Sequence, residues 1–487
     1  MFFKKSSNIV FRNYDSFGYI TDNRNFRYKK KNVILNDIGD KILSPSGAVF
    51  FSVLDTTPQT LDDLSAKINH FFNDTDIEII KNDANDFYLA LEKDKFVVSG
   101  KTEKECEIKD KQYLSAKQDT QEVINKSPQD DSYHEKSPQD FLEEYFHGNP
   151  HLTNIHIEIT SKCNERCIHC YIPHENKISD IEPDLFYDTL KQSHDMKVLH
   201  LTLSGGEPML HKNFLEFIIK CREYNFSVNI LSNLTLIDDD IIEEMKNNPL
   251  LGVQTSLYSM NHNIHDSITQ QKGSFGKTKN AILKLIENDI TVQISCPIMS
   301  QNRNCYNDVV NWAEAHNIHA GDDYVIIASY DYTAKNLACR LSINEIKEII
   351  HEKSVRNPKY LEQIKADSEQ KKYILPEDAV CSVCNSSICI AENGNVYPCA
   401  GWQGYVIGSL RKSSLNDIWE HSEKINYLRG LRKRDFPKCI QCADKEFCTM
   451  CMVRNANESH LGDPLEVSKY FCDIARFNKA IVFDMER

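Results

Sequence analysis

Three cysteines within eight residues, Cys163-Asn-Glu-Arg-Cys167-Ile-His-Cys170, followed by Tyr171, define the chemistry open to this chain. Three thiolates can hold three corners of one iron–sulfur cube and leave the fourth iron without a protein ligand, whereas electron-transfer clusters usually take four cysteines. The other use of such a run is a zinc knuckle, but zinc prefers four ligands in paired C-x2-C units. Just upstream, Asn154-Ile-His-Ile-Glu-Ile159 alternates polar and apolar residues, a strand pattern. The cysteines therefore leave the C-terminal end of a strand, where barrel enzymes build their sites.

A second strand pattern, Val198-Leu-His-Leu-Thr-Leu203, runs directly into Ser204-Gly205-Gly206-Glu207-Pro208. Adjacent glycines at a strand end allow close backbone approach, and Glu207 supplies an acceptor for an ammonium group. Four more strands are predicted at Phe226–Leu231, Leu251–Leu257, Ile290–Pro297 and Tyr324–Ala328. Helical patterns such as Asp238–Lys246, Gly276–Glu287 and Tyr306–His316 lie between them. Alternating strand and helix predicts an α/β fold with a parallel sheet and helical crossovers. The string Gly273-Ser-Phe-Gly276-Lys277-Thr278 lacks the glycine of a phosphate loop five residues before Gly276, which excludes an ATPase reading.

The cysteine spacing, with Gly-Gly-Glu one βα unit later, resembles the radical S-adenosylmethionine (SAM) enzymes. That resemblance implies a partial (β/α)6 barrel over residues 151–330. Cys163, Cys167 and Cys170 would hold a [4Fe-4S] cluster, and Gly205, Gly206 and Glu207 would receive the methionine amino group of SAM. It further implies that Ser232 and Asn233, after the third strand, contact the ribose, and that Ser256, after the fourth, approaches the ribose or carboxylate. His265-Asp266-x-Ile268-Thr269-x3-Gly273-Ser274-Phe275 resembles a segment common in the family's peptide-modifying branch.

Nine of the seventeen cysteines fall between Cys381 and Cys472. Cys384-x9-Gly394-x4-Cys399, with Asn-Val-Tyr-Pro before the last cysteine, resembles the SPASM extension of radical SAM enzymes, here 376–487. The resemblance implies two auxiliary [4Fe-4S] clusters, making three in all. One would use Cys381, Cys384, Cys399 and Cys451, and the other Cys439, Cys442, Cys448 and Cys472. Cys448 and Cys451 are separated by two residues, whereas the family pattern has three. Cys389, in Ile388-Cys389-Ile390, is either a replacement ligand for Cys381 or Cys384 or a buried strand thiol. Zinc is the competing occupant of these paired cysteines.

Fifty-seven basic against seventy-one acidic residues give a net charge of −14, which argues against general nucleic-acid binding. No apolar run reaches membrane-spanning length, and a reduced, cytoplasmic setting suits so many thiols. Residues 1–36 depart from the acidic balance, with eight Lys or Arg against two Asp. Strands at Phe17–Thr21 and Asn32–Leu35, helices from Ser44 and Thr60 and near Thr75–Lys81, and a two-stranded wing around Phe87–Val98 predict a winged-helix-like domain over 1–100. It resembles the PqqD-type leader-recognition element, in which a leader peptide adds a strand to a sheet edge. A DNA-binding winged helix and a packing domain without ligand are the alternatives.

Residues 101–150, with Lys126-Ser-Pro-Gln-Asp130 repeated at Lys136–Asp140, read as a flexible tether, and 331–375 as a bridging helical segment. Together the resemblances imply a radical SAM peptide maturase similar to sactipeptide and ranthipeptide thioether synthases. Its partners would be a precursor peptide with a leader and an electron donor such as flavodoxin or ferredoxin. Carbon–carbon crosslinking and formylglycine-type oxidation are alternative reactions, and a cluster-based DNA-binding regulator is the non-enzyme alternative.

Overall fold

A computed structural model describes residues 1–26, 39–72, 74–115, 137–357, 359–372 and 375–484. The expected strand Asn32–Leu35 and the first Ser-Pro-Gln-Asp copy lie outside the described residues. The N-terminal strands are β1 (Phe2–Lys5), β2 (Ile9–Asn13), β3 (Gly18–Asp22), β4 (Lys41–Leu43), β5 (Gln59–Thr60) and β6 (Val97–Gly100). They form two antiparallel three-stranded sheets, ordered β5-β1-β6 and β2-β3-β4. Ser44 caps helix Pro45–Ser52 and Thr60 caps Leu61–Asn69, each side-chain oxygen accepting a backbone N–H of the first turn.

The expected short helix and two-stranded wing are instead one helix, Ile77–Lys93, followed by β6 alone. Ile80, Ala84, Tyr88 and Leu91 recur at helical spacing and are buried, so this stretch covers the sheets as a helix. The predicted tether is also helical where described, over Glu103–Ser115 and Pro138–Tyr145. Buried Cys106 and the Lys4–Asp110 pair at 2.8 Å hold the first of these to the N-terminal unit. The second opens on a capping box between Ser137 and Asp140, which are part of the repeated Ser-Pro-Gln-Asp.

Next come β7 (Asn154–Thr160), β8 (His200–Gly205), β9 (Ser227–Leu231), β10 (Leu251–Ser256), β11 (Val292–Ser295) and β12 (His319–Gly321), each parallel to its neighbour. Ile155, Ile157, Leu201, Leu203, Val228, Ile230, Val253 and Ile294 are buried in one core with helix residues such as Phe186, Phe217 and Ile282. Half-buried His156, Thr202, Asn229, Gln254 and Gln293 alternate with them on the inner face. The sixth strand is His319–Gly321, not the expected Tyr324–Ala328. His319 already pairs with Gln293, two residues after left-handed Asn317. Residues 324–328 run beyond the sheet, where side chains replace a ladder: Arg340 donates to the Ile326 carbonyl and Asn457 to that of Ala328.

The C-terminal region extends the same sheet. β13 (Ser387–Ile390) pairs parallel with β7, and β14 (Asn395–Tyr397) and β15 (Gly408–Ser409) follow antiparallel. Helices Ile343–Arg356 and Lys359–Lys371 bridge to it from the barrel.

The N-terminal unit docks on the barrel end opposite the strand C-termini. Arg12 Nε donates to the Val198 carbonyl at 2.7 Å, and Asn225 bonds both Phe11 N–H and the Ile9 carbonyl along β2. Among the described residues no helix is long and apolar enough to cross a membrane.

Candidate functional site

The C-terminal ends of β7 to β11 surround a cavity of ≈ 240 Å³. Cys163, Cys167, Cys170, Gly205, Gly206, Ser232, Asn233 and Ser256 all line it, so residues predicted from four separate strand ends are brought together. The glycines are required by the protein's own backbone. A Cβ on Gly205 (φ +131) would stand 1.8 Å from the Thr160 carbonyl oxygen, and one on Gly206 would stand 2.1 Å from that of Lys162. Gly206 N–H bonds Thr160 and Glu207 N–H bonds Lys162, both at 2.8 Å. The Gly-Gly turn is thereby clamped against the start of the cysteine loop.

Glu207 is buried and does not line the cavity. Its carboxylate accepts Ser232 Oγ at 2.8 Å, Asn233 N–H at 2.7 Å and Met209 N–H at 3.0 Å, three of about four acceptor positions. Burial pushes its carboxyl up to about 7, against those bonds. Asn233 in turn donates to Asn164 within the cysteine loop at 2.8 Å.

The His265-to-Phe275 segment acts as a buttress. Asp266 accepts Gly273 N–H, Phe275 N–H and Ser274 Oγ, fixing the start of helix Ser274–Glu287. Backbone N–H groups of Arg166 and Ile168 bond the Thr269 and Ile268 carbonyls, so this segment carries the cysteine loop on its edge.

Glu165, His169, Tyr171 and Lys177 also line the cavity, and sequence reasoning missed them. Their only sequence signal is closeness to the cysteines. Burial pushes the Cys163 thiol up to about 11 and Cys167 higher still, so both are protonated without a metal. Iron binding would expel those protons. Burial lowers His169 to about 4, leaving a neutral ring whose Nε2 lies 2.9 Å from the Tyr258 hydroxyl. Three thiols, a cavity and a buried, unbonded Glu165 Oε1 fit a bound, polar cofactor.

The C-terminal cysteines gather in two sets. Burial raises Cys381, Cys384 and Cys399; Cys451 adds to the first and last, and Cys381 and Cys399 add to Cys384. Burial likewise raises Cys439, Cys448 and Cys472, with Cys442 adding to all three. Cys389 is fully buried in β13 among Ala391, Tyr397 and Ala400. Among the described residues no three His, Cys, Asp or Glu side chains converge as tightly as a single ion needs. Between the cavity and the first set, Glu158 accepts both Tyr171 Oη at 3.2 Å and Gln403 Nε2.

Residues 157–313 match the radical SAM superfamily, and residues 381–444 match SPASM, an iron–sulfur cluster-binding domain. The chain therefore carries a radical SAM domain and, after it, a SPASM domain. It is 22% identical over 364 residues to the tungsten-containing aldehyde ferredoxin oxidoreductase cofactor-modifying protein of Pyrococcus furiosus, covering 66% of this chain and 98% of that protein. It is 24% identical over 326 residues to the antilisterial bacteriocin subtilosin biosynthesis protein AlbA of Bacillus subtilis, covering 62% and 68%. The fold matches that of Streptococcus suis SuiB bound to the precursor peptide SuiA with a TM-score of 0.58, 15% identity and coverage of 96% and 99%.

Proposed function

We propose that this chain modifies a ribosomally made precursor peptide and forms thioether crosslinks between cysteine sulfur and a residue carbon. The observation that carries the reading is the cavity where Cys163, Cys167 and Cys170 face Gly205, Gly206, Ser232 and Asn233. The three cysteines hold the SAM cluster. Cys381, Cys384, Cys399 and Cys451 hold one auxiliary [4Fe-4S] cluster, and Cys439, Cys442, Cys448 and Cys472 the other. When bound and reduced by a flavodoxin- or ferredoxin-type donor, the cluster and SAM supply a 5′-deoxyadenosyl radical able to take a C–H hydrogen.

The chain's own residues set the geometry. Gly205 and Gly206 offer backbone to the methionine end of SAM, Ser232 and Asn233 meet the ribose, and Ser256 stands beside the ribose or carboxylate. Glu207 fixes the Ser232–Asn233 turn from behind the cavity wall. Held this way, reacting groups avoid much of the entropic cost of encounter. The crosslink replaces one C–H and one S–H by C–S, so the peptide loses two hydrogens: one passes as an atom to the adenosyl radical, and the other leaves as a proton while its electron passes to an auxiliary cluster.

Relatives that act on peptides support this class of substrate: AlbA is named for subtilosin biosynthesis and SuiB is seen with a precursor peptide. The N-terminal unit is the proposed leader-binding element. Asn225 bonds the β2 edge of its β2-β3-β4 sheet, so β4 is the edge to which a leader strand would add.

The test is mass spectrometry of a cysteine-containing candidate precursor peptide, taken from any short reading frame beside the gene, after anaerobic reaction with SAM and reductant. A loss of two hydrogens per crosslink, with the cysteines protected from iodoacetamide, is expected. Loss of hydrogens with every cysteine still alkylated would mean carbon–carbon linkage, and an unchanged mass would refute peptide modification.

A further inference from the structure

Lys177 follows the cysteine loop and is 6% exposed. It lines the same cavity as the three cysteines and the Gly-Gly turn, where it is the one lysine or arginine among the described residues. Its charge acts on Cys163, Cys167, Glu165 and His169, which puts the ammonium among the cavity walls. Among the described residues it has no ion-pair partner. Asp180 is taken by Lys162, Glu165 Oε2 by Cys167, and Glu165 Oε1 is left without a bond.

An ammonium that opens only into this cavity and has no bonded partner is favoured by a ligand that brings the missing anion. Of the groups on SAM, the sulfonium and ammonium are cationic and only the carboxylate is anionic. Glu165, which feels the Lys177 charge without bonding it, and the cluster thiolates are the competing anions. Yet the Cys163 sulfur accepts the Glu165 backbone N–H, the Cys167 thiol bonds the Glu165 carboxylate and the Tyr258 hydroxyl, and neither sulfur bonds Lys177.

We propose that Lys177 binds the carboxylate of SAM and so fixes how the methionine end is seated in the cavity. This assignment rests on the SAM-site reading above. It makes Lys177 a positioning residue of the point-charge kind, for which arginine can partly substitute.

The test is binding, not turnover. Reconstituted wild-type protein, Lys177→Met and Lys177→Arg are compared by anaerobic equilibrium dialysis with SAM and with decarboxylated SAM, at matched iron content. Lys177→Met should weaken SAM binding by about 10- to 100-fold, the range for a charge-assisted hydrogen bond, and leave decarboxylated SAM within about twofold. Lys177→Arg should keep most of the preference for SAM. Equal weakening of both ligands, or an unchanged preference for SAM, would overturn the assignment while leaving the SAM site intact. Wild-type protein that binds neither ligand would overturn the site and the assignment together. Lys177→Gln gives the same comparison if the methionine variant does not fold.

Discussion

Gln403 donates its side-chain amide to Glu158 at 2.5 Å, joining the cysteine-rich region to the inner face of the first barrel strand. Glu158 is 1% exposed, and its other oxygen accepts the Tyr171 hydroxyl. Burial pushes the Glu158 carboxyl up to about 7, with Glu392 adding to the shift and the two hydrogen bonds opposing it. The folded protein therefore holds this proton more tightly than the unfolded chain. The stability Glu158 contributes is full below the unfolded carboxyl value of 4.5 and is lost as pH rises to about 7. Chemical denaturation of Glu158→Gln should show that slope flattened, a difference on the order of 3 kcal/mol between pH 4.5 and 8. An unchanged slope would mean that Glu158 is ionised throughout.

Asn225 closes the β2 edge with two bonds of 2.9 and 3.0 Å from a left-handed position (φ +54). Asn225→Ala leaves a backbone N–H and a carbonyl unpaired, at a cost of about 1–3 kcal/mol for each buried group. Hydrogen exchange at Ile9–Asn13 should accelerate in that variant while the barrel strands keep their protection. Equal acceleration in both would show that the N-terminal unit and the barrel open together.

The glycines of the site and of the loop after helix His262–Thr269 should behave very differently. Gly205→Ala drives a Cβ to 1.8 Å from a carbonyl at φ +131, so loss of folded protein is expected. Gly273 has φ +83 and open space around its would-be Cβ, so Gly273→Ala should cost only about 1 kcal/mol. The soluble folded yield of Gly205→Ala and the denaturant midpoint of Gly273→Ala decide this.

Cys389 and Cys384 separate by iron content. Burial and then Glu158 raise the Cys389 thiol, and Cys399 is the one cysteine adding to it, whereas Cys384 feels two members of its set. Cys389→Ala should keep all its iron, and Cys384→Ala should lose about four atoms per chain. Iron loss in the Cys389 variant alone would exchange the two roles.

The local parts of the site were legible because their signals are local. Cys163, Cys167 and Cys170 carry their spacing in eight residues, and Gly205-Gly206 sits where an apolar alternation ends. What failed depends on long-range pairing. The Lys4–Asp110 pair spans 106 positions and leaves no periodic trace, so helix Glu103–Ser115 read as part of a flexible tether. His319–Gly321 is three residues long, too short for alternation to show, and the more apolar Tyr324–Ala328 drew the strand assignment. Lys177 and Glu165 differ from surface residues only by burial, which their neighbours in sequence do not reveal.

The most direct test of the central claim compares wild type with Cys163→Ala/Cys167→Ala/Cys170→Ala after anaerobic reconstitution, counting iron and sulfide and assaying 5′-deoxyadenosine with SAM and reductant. The expected result is about twelve irons and SAM cleavage in the wild type, against about eight irons and no cleavage in the triple variant. Persistent cleavage in that variant, or zinc in place of iron with no cleavage in either protein, would contradict it.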